Sequence, residues 1–381
     1  MMIRPGWTHS SAFYFFLFLA LGAHLPFWPL WLSDWGLSAA EVGTYTALAV
    51  AIRVLMGVAL PWAADRAGTP RRALALLGGI AVLGAASHAL VDHRAPLLIA
   101  TLVTAAAVAG IGPIADALTL RAADRSGFAF ATARSTGSAA FLIANIFCGI
   151  AVAHYGSDAA LWWIVVSFVP LAWLGLRHPG GAGIPLPQPR FREAGALLCK
   201  PAFILTMIAS ASLQGAHAVL YTYGSIHWRT QGIDDQTIGG LWAIGVLLEV
   251  ILMLVAGKWL IERLSPAGAM ALAGGVGLIR WVCMTGDPGE IWLWPLQALH
   301  AITFTAAFLG AIAQVARISP VSLGATAQGM VGAMAGGLVM ASASFAAAFA
   351  YPQFGAGAYW ISVGLSLTGL LAALALKRVG S

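Results

Sequence analysis

The stretch GGVGLIRWVCMTG, residues 274–286, sets the guanidinium of Arg280 among apolar residues on both sides. An arginine near the middle of a membrane helix costs roughly 2.5–3.5 kcal/mol even on insertion scales, so it marks a function and requires a partner. Glu249, in LWAIGVLLEVI (241–251), and His300, in LQALHAITF (296–304), lie at overlapping depths in the two neighbouring apolar runs. A carboxylate, a guanidinium and an imidazole together are equipment for taking up and releasing a proton. The spacing pairs Arg280 with Glu249 and sets His300 beside them. The plainer alternative is an ion pair that only holds three helices together.

Other polar residues fall inside apolar runs. Arg53, in ALAVAIRVLMG (47–57), suits a bidentate clamp on a carboxylate or an ion pair with Asp116, and both stay open. Gln214, His217 and Tyr221, in LQGAHAVLYTYG (213–224), recur at i, i+3 and i+7 on one helical face, as residues lining a solute path would. His24 precedes Pro26 and Pro29 in GAHLPFWPLWL (22–32), where broken backbone hydrogen bonds require a cavity or neighbours to satisfy them. Asn145 and Gln297 complete the set, and Trp28, Trp31 and Trp35 read as an outer interfacial belt.

These residues demand membrane helices to hold them. The chain has 381 residues, 60% hydrophobic and 9% charged, with mean hydropathy +0.85, whereas soluble domains carry about 25% charged residues. Apolar runs of spanning length are expected at 10–31, 42–62, 73–91, 96–118, 130–153, 159–177, 202–223, 237–257, 267–285, 291–314, 325–350 and 357–376. The first ends in PFWPLWLSDWG without a small-residue cleavage site, so it is expected to be a retained helix. The Pro- and Gly-rich RHPGGAGIPLPQPRFREAG (177–195) splits the chain into a half at 1–177, a cytoplasmic loop at 178–200 and a half at 201–381. The expected fold is an all-α integral membrane protein, twelve spans in two six-helix halves, with a solute site near the midplane.

The charge of +6 fits topology rather than nucleic acid, because Lys and Arg sit between spans. Arg4, Arg66, Arg71, Arg72, Arg121, Arg125, Arg134, Arg177, Arg190, Arg192, Lys200, Lys258, Arg263, Arg317, Lys377 and Arg378 then fall inside, with only Arg94 and Arg229 outside. Both termini are expected in the cytoplasm of a bacterial inner-membrane protein. Cys148, Cys199 and Cys283 lack paired or metal-ligand spacing and are expected to be plain thiols.

PWAADRAGTPRR (61–72) resembles the signature that the major facilitator superfamily carries between its second and third helices, with Pro61 where glycine is usual. Asp65, Arg66, Gly68, Arg71 and Arg72 would form a gating motif of charge pairs and helix-end contacts, with simple topology signalling as the alternative. KWLIERLSP (258–266) is its weakened echo in the second half. LPFWPLWL, LQGAHA followed by GSIHWRTQGI, LWAIGVLLEVI, and IRWVCM with LQALHAITF are together similar to the phenylpropionate permease family of that superfamily, related to lactose permease and the nucleoside proton symporters.

That resemblance implies roles. DALTLRAADRSGFAFATARSTGSAAF (116–141) is similar to the fourth and fifth helices of lactose permease, setting Asp116 and Arg134 on charge-paired sugar-binding positions and Phe141 on a stacking aromatic. Arg280 and His300 fall on its proton-coupling cluster. The departures are Thr303 for the proton-carrying glutamate, Gln297 for a lysine and Val246 for an eighth-helix glutamate, with Glu249 one turn further along the same face. The implied function is proton-coupled symport of a small organic solute, an aromatic carboxylate such as 3-phenylpropionate, by alternating access. Sugar or nucleoside symport is the alternative. Glu249, Arg280 and His300 would couple the proton, and Arg53, Asp116, Arg134, Phe141, Gln214, His217, His24 and Asn145 would meet the solute. A monomer in the lipid bilayer, driven by the proton gradient with no cofactor and no metal, is expected. A polytopic enzyme would need a nucleophile with its base, a metal-ligand set or a phosphate loop at one depth, and no such motif occurs in the sequence. A passive channel fits the two-half design poorly.

Overall fold

The computed structural model describes residues 5–181, 195–320 and 324–379; Arg4, Arg190, Arg192 and most of the central loop lie outside the described residues. The first six helices are α1 (Pro5–Asp34), α2 (Ala39–Arg66), α3 (Pro70–Ser87), α4 (Arg94–Ser126), α5 (Phe130–Tyr155) and α6 (Asp158–Leu176). After the loop come α7 (Pro201–Gly215), α8 (Ala218–Thr230), α9 (Asp235–Leu264), α10 (Pro266–Thr285), α11 (Glu290–Ala298) and α12 (His300–Ile318). The chain continues with α13 (Gly324–Gly332), a π-helical segment (Ala333–Val339), α14 (Met340–Phe354), a 3₁₀ turn (Gly355–Tyr359) and α15 (Trp360–Val379).

Local chemistry sets the ends. Pro70, Pro201 and Pro266 open α3, α7 and α10, where the missing N–H has no partner to lose. Gly127, at φ +64°, closes α4 in the left-handed conformation, its N–H donating to the Ala123 carbonyl. Asp234 accepts from the Thr237 N–H at 2.9 Å and the Thr237 hydroxyl at 2.8 Å just before α9, and these bonds hold its carboxyl below the ordinary carboxylate range.

Among the described residues eleven helical stretches are long and apolar enough to cross a membrane, against twelve spans expected from the sequence. The last of them, Ala327–Val379, has 53 residues. At 1.5 Å per residue that is about 80 Å, more than twice the roughly 30 Å hydrocarbon thickness. Its helix breaks at Gly355, φ +52°, and the 3₁₀ turn that follows, so it contains both of the final two expected spans. Large apolar side chains point outward, Leu83 at 72%, Leu254 at 80% and Val255 at 79% exposure, as a lipid-facing surface requires.

The described residues form two compact units, one of 5–36, 48–181 and 234–240, the other of 37–47, 195–233, 241–320 and 324–379. Two segments fall in the unit other than that of the rest of their helix, the first turns of α2 and of α9. Within the first unit α1 packs on α5 and α6, and α3 on α4 and α6. Within the second, α7 packs on α12, α15 and the π segment, and α10 on α12 and α15. The same pairing order in both units is that of a repeated six-helix plan.

Close approach of helices rests on missing side chains. A Cβ on Gly22 of α1 would lie 2.6 Å from the Phe141 carbonyl oxygen and 2.9 Å from the Ala144 Cβ of α5. Gly43 in the exchanged turn of α2 is approached by the Tyr223 hydroxyl and by Ala348, and that hydroxyl donates to the Ala39 carbonyl at 2.6 Å. Gly22→Ala is expected to destabilise the protein by about 1–3 kcal/mol through forced separation of α1 and α5. Gly79→Ala, with nothing within 4 Å of the new Cβ, should be neutral or slightly stabilising. Thermal unfolding in detergent compares the two, and equal losses would defeat the close-approach account.

Candidate functional site

Two of the spanning stretches are interrupted where their polar residues lie. α7 stops at Gly215 and α8 starts at Ala218, leaving His217 at the break; α11 stops at Ala298 and α12 starts with His300. Irregular backbone at membrane depth needs protein partners, and here the side chains supply some of them. The His217 ring bonds the Leu213 carbonyl through Nδ1 at 3.1 Å.

Around these breaks the second unit assembles a continuous polar chain. Arg280 in α10 is 1% exposed. Its Nη2 donates to Gln297 Oε1 at 2.5 Å, and its Nη1 donates to Thr303 Oγ1 at 3.1 Å and faces His300 Nδ1 at 3.4 Å. His300 Nε2 lies 3.4 Å from Glu249 Oε2. His217 Nε2 lies 3.1 Å from Thr303 Oγ1, and the guanidinium rests 4.3 Å above the Trp281 ring. The direct Arg280–Glu249 pair expected from spacing does not form. Gln297, His300 and Thr303, at i, i+3 and i+6 across the α11–α12 break, reach the guanidinium first, and His300 is interposed before Glu249. Thr303, read from the sequence only as a lost glutamate, is the junction of the chain. Its spacing from Gln297 and His300 was the available signal. Tyr221 joins the aromatic side of the cluster, 5.7 Å from His217 and 6.4 Å from His300 between ring centres. Gln214 is half-buried, its backbone carbonyl 3.2 Å from His217 Nδ1.

The first unit holds a separate set. Asp116 lies within α4 and accepts from the Tyr14 hydroxyl at 2.5 Å. Arg134 sits over the rings of Phe18 at 4.1 Å and Tyr14 at 5.3 Å. Of the two alternatives for Arg53, the pair with Asp116 does not form, and Arg53 Nε is buried without a hydrogen-bond partner. His24 stacks on Trp28 at 5.4 Å, and Trp28 on Trp31 at 4.9 Å. Trp28 and Trp31 are 7% and 3% exposed. They are therefore not an outer belt: Trp31 donates from Nε1 to Asp158 at 2.8 Å, and His88 meets both rings edge-on. His88, which the sequence reading passed over, is itself held by Gly84 and Thr101 at 2.8 and 3.1 Å. Phe141 is half-buried. Asn145 is fully buried and donates to the Phe141 carbonyl of its own helix at 2.7 Å.

In the 61–72 motif, Gly68 takes φ +65°, which makes the tight turn between α2 and α3. The charge pairs expected there are replaced by other contacts. Arg66 lies over Trp62 at 5.3 Å, and the Asp65 backbone carbonyl accepts from Gly68 at 3.0 Å. Arg71 and Arg72 line a cavity of about 410 Å³ with Gly68, Thr69, Pro70 and Leu176. The second-half echo pairs Glu262 with Lys258 at 3.7 Å, one helical turn away, on the exposed surface. The three cysteines are free, and no cluster of metal-ligating side chains occurs among the described residues.

A model of the MFS_1 like family matches residues 7–362. The chain is similar to a probable 3-phenylpropionic acid transporter of Escherichia coli (strain K12), 27% identical over 365 residues and 94% of each chain. It is also similar to a maltose permease of Geobacillus stearothermophilus, 24% identical over 97% of this chain and 94% of that one. Among solved structures, a nucleoside transporter, NupG, superposes with a TM-score of 0.78 at 15% identity over 99% of each chain, a likeness of fold.

Thr303→Val leaves Arg280 Nη1 and His217 Nε2 each short of a partner, so a loss of about 1–3 kcal/mol is expected. Thr303→Ser should recover most of it. Unfolding in detergent tests this, and a Val variant as stable as the Ser variant would remove Thr303 from its place as junction.

Proposed function

The chain belongs to the MFS_1 like family and is a multi-pass membrane transporter of the major facilitator superfamily, and on that footing we propose that it is a proton-coupled symporter taking up an aromatic carboxylate such as 3-phenylpropionate by alternating access. The observation that carries the coupling is the Glu249–His300 contact, 3.4 Å, enclosed in spanning helices beside Arg280. Ionisable groups so placed mark ion paths, because their desolvation is otherwise uncompensated.

The solute class is supported from two sides. One relative is named as a probable 3-phenylpropionic acid transporter. Among the first unit's candidate solute residues two are cations, Arg53 and Arg134, against one acid, Asp116, which is engaged by Tyr14. That surplus of positive charge suits a monocarboxylate, whose ring has the stacked surfaces of His24 and Trp28 for company. Gln214, His217, Phe141 and Asn145 would complete the solute contacts, and the 61–72 motif would gate the cycle. The proton gradient supplies the energy without a cofactor, to a monomer in the bacterial inner membrane with both termini in the cytoplasm, a topology favoured by the distribution of Lys and Arg. A sugar or nucleoside proton symporter is the second reading, favoured by the similarity to a maltose permease.

The test is uptake of labelled 3-phenylpropionate, maltose and a nucleoside into proteoliposomes with an imposed inward proton gradient. Accumulation of 3-phenylpropionate that collapses when the gradient is removed is expected. Glu249→Gln should lower gradient-driven accumulation by roughly tenfold or more while solute exchange persists. Arg53→Gln should raise the half-saturating concentration about tenfold, the worth of one charge-assisted hydrogen bond. Gradient-driven uptake of maltose or the nucleoside without 3-phenylpropionate would move the protein to the second reading. Uptake indifferent to the gradient would end the symport proposal.

A further inference from the structure

Both a carboxylate and an imidazole are available to carry the proton in the second unit, and the directions of the hydrogen bonds distinguish them. Arginine has N–H donors only and keeps its charge in proteins. Arg280 Nη1 faces His300 Nδ1 at 3.4 Å, so Nδ1 must present its lone pair and the ring hydrogen of His300 sits on Nε2. Glu249 Oε2 lies 3.4 Å from that Nε2, on the side of the ring that carries the hydrogen. A second hydrogen on Nδ1 would set donor against donor and cation against cation.

His217 is fixed with the opposite polarity. Its Nδ1 faces two carbonyl oxygens, Leu213 at 3.1 Å and Gln214 at 3.2 Å, which only accept, so Nδ1 carries the hydrogen. Its Nε2 then accepts from the Thr303 hydroxyl at 3.1 Å, whose oxygen in turn accepts from Arg280. The groups around His300 are thus Glu249 from α9, Arg280 from α10, His217 and Tyr221 from the α7–α8 stretch, and Phe304 stacked from its own helix. Of the two, Glu249 is the more open side chain, 17% exposed against 9% for His300.

We infer that Arg280 holds His300 and His217 as neutral hydrogen-bond relays of fixed tautomer, that Glu249 is the group in this cluster that takes up the transported proton, and that His300 is a positioning residue for it. This rests on the proton-coupled reading above. The proton adds to a Glu249 carboxylate oxygen, giving the neutral acid, while the His300 ring keeps its Nε2–H beside that carboxyl. Release to water restores the carboxylate, and no hydrogen leaves either ring.

Glutamine can copy the polarity of such a histidine, its amide oxygen accepting from Arg280 and its N–H₂ group facing Glu249. In proteoliposomes loaded against 3-phenylpropionate, His300→Gln is expected to retain gradient-driven accumulation within about threefold of the unmodified protein, whereas His300→Phe loses roughly tenfold or more. His300→Gln failing as completely as His300→Phe would overturn the inference. Independently of any solute, ¹⁵N-histidine spectra of the full-length protein should show His300, assigned through its loss in His300→Gln, as the neutral Nε2–H tautomer from about pH 5 to about pH 8. A ring that becomes doubly protonated in that range also overturns it. Full accumulation in Glu249→Gln would also overturn it, whereas uptake by the unmodified protein that is indifferent to the gradient would overturn the coupling reading itself. Loss in Glu249→Gln together with a titrating His300 would overturn the inference alone.

Discussion

A buried guanidinium that is not in contact with a carboxylate orders the second unit. Arg280 can only donate, so every polar neighbour must turn an acceptor toward it: the Gln297 oxygen, the Thr303 hydroxyl and the unprotonated face of His300. These acceptors come from one face of the α11–α12 stretch, where their spacing of three residues places them together. Leaving a charge at such depth unsatisfied would cost several kcal/mol, so the glutamine and the threonine offset the burial of the arginine.

The first unit satisfies its charges differently. Aromatic rings do there what amides and hydroxyls do around Arg280. Arg134 lies over Phe18, Asp116 is capped by a tyrosine hydroxyl, and an indole N–H engages Asp158. Ring faces hold charge with less directional constraint than the amide and hydroxyl bonds around Arg280. The two units share a packing order but not a chemistry, as separate repeats of one scaffold can.

Much of this was legible in the sequence, for reasons tied to particular residues. Apolar runs of spanning length announce themselves, and Arg280, Glu249, His300 and His217 stand out because charge and imidazole are costly there. Partners were harder to read. Tyr14 and Asp116 meet across 102 residues of chain, and nothing local in either helix indicates it. Trp28 and Trp31 read as an interfacial belt because tryptophan serves headgroup regions and cores alike; in the structure His24 stacks on Trp28 and His88 meets both rings edge-on. Thr303 was judged by the glutamate it replaces, although its spacing from Gln297 already placed it on the guanidinium's side. The last two spans, expected separately at 325–350 and 357–376, are divided in the structure at Gly355, φ +52°, and the 3₁₀ turn after it.

The exchanged turns of α2 and α9 bear on how the protein is made. The first turns of α2 belong to a unit built mostly from chain synthesised after the central loop, and Tyr223 and Gly43 secure them there. The opening turn of α9 likewise belongs to the earlier unit, where Gly239 meets the Asn145 carbonyl. Neither half is therefore a finished object when the ribosome reaches the loop. The earlier half must wait, one of its helices unfinished, for partners not yet translated, and expressing the halves as separate polypeptides would leave each with a vacancy that only the other's chain can fill.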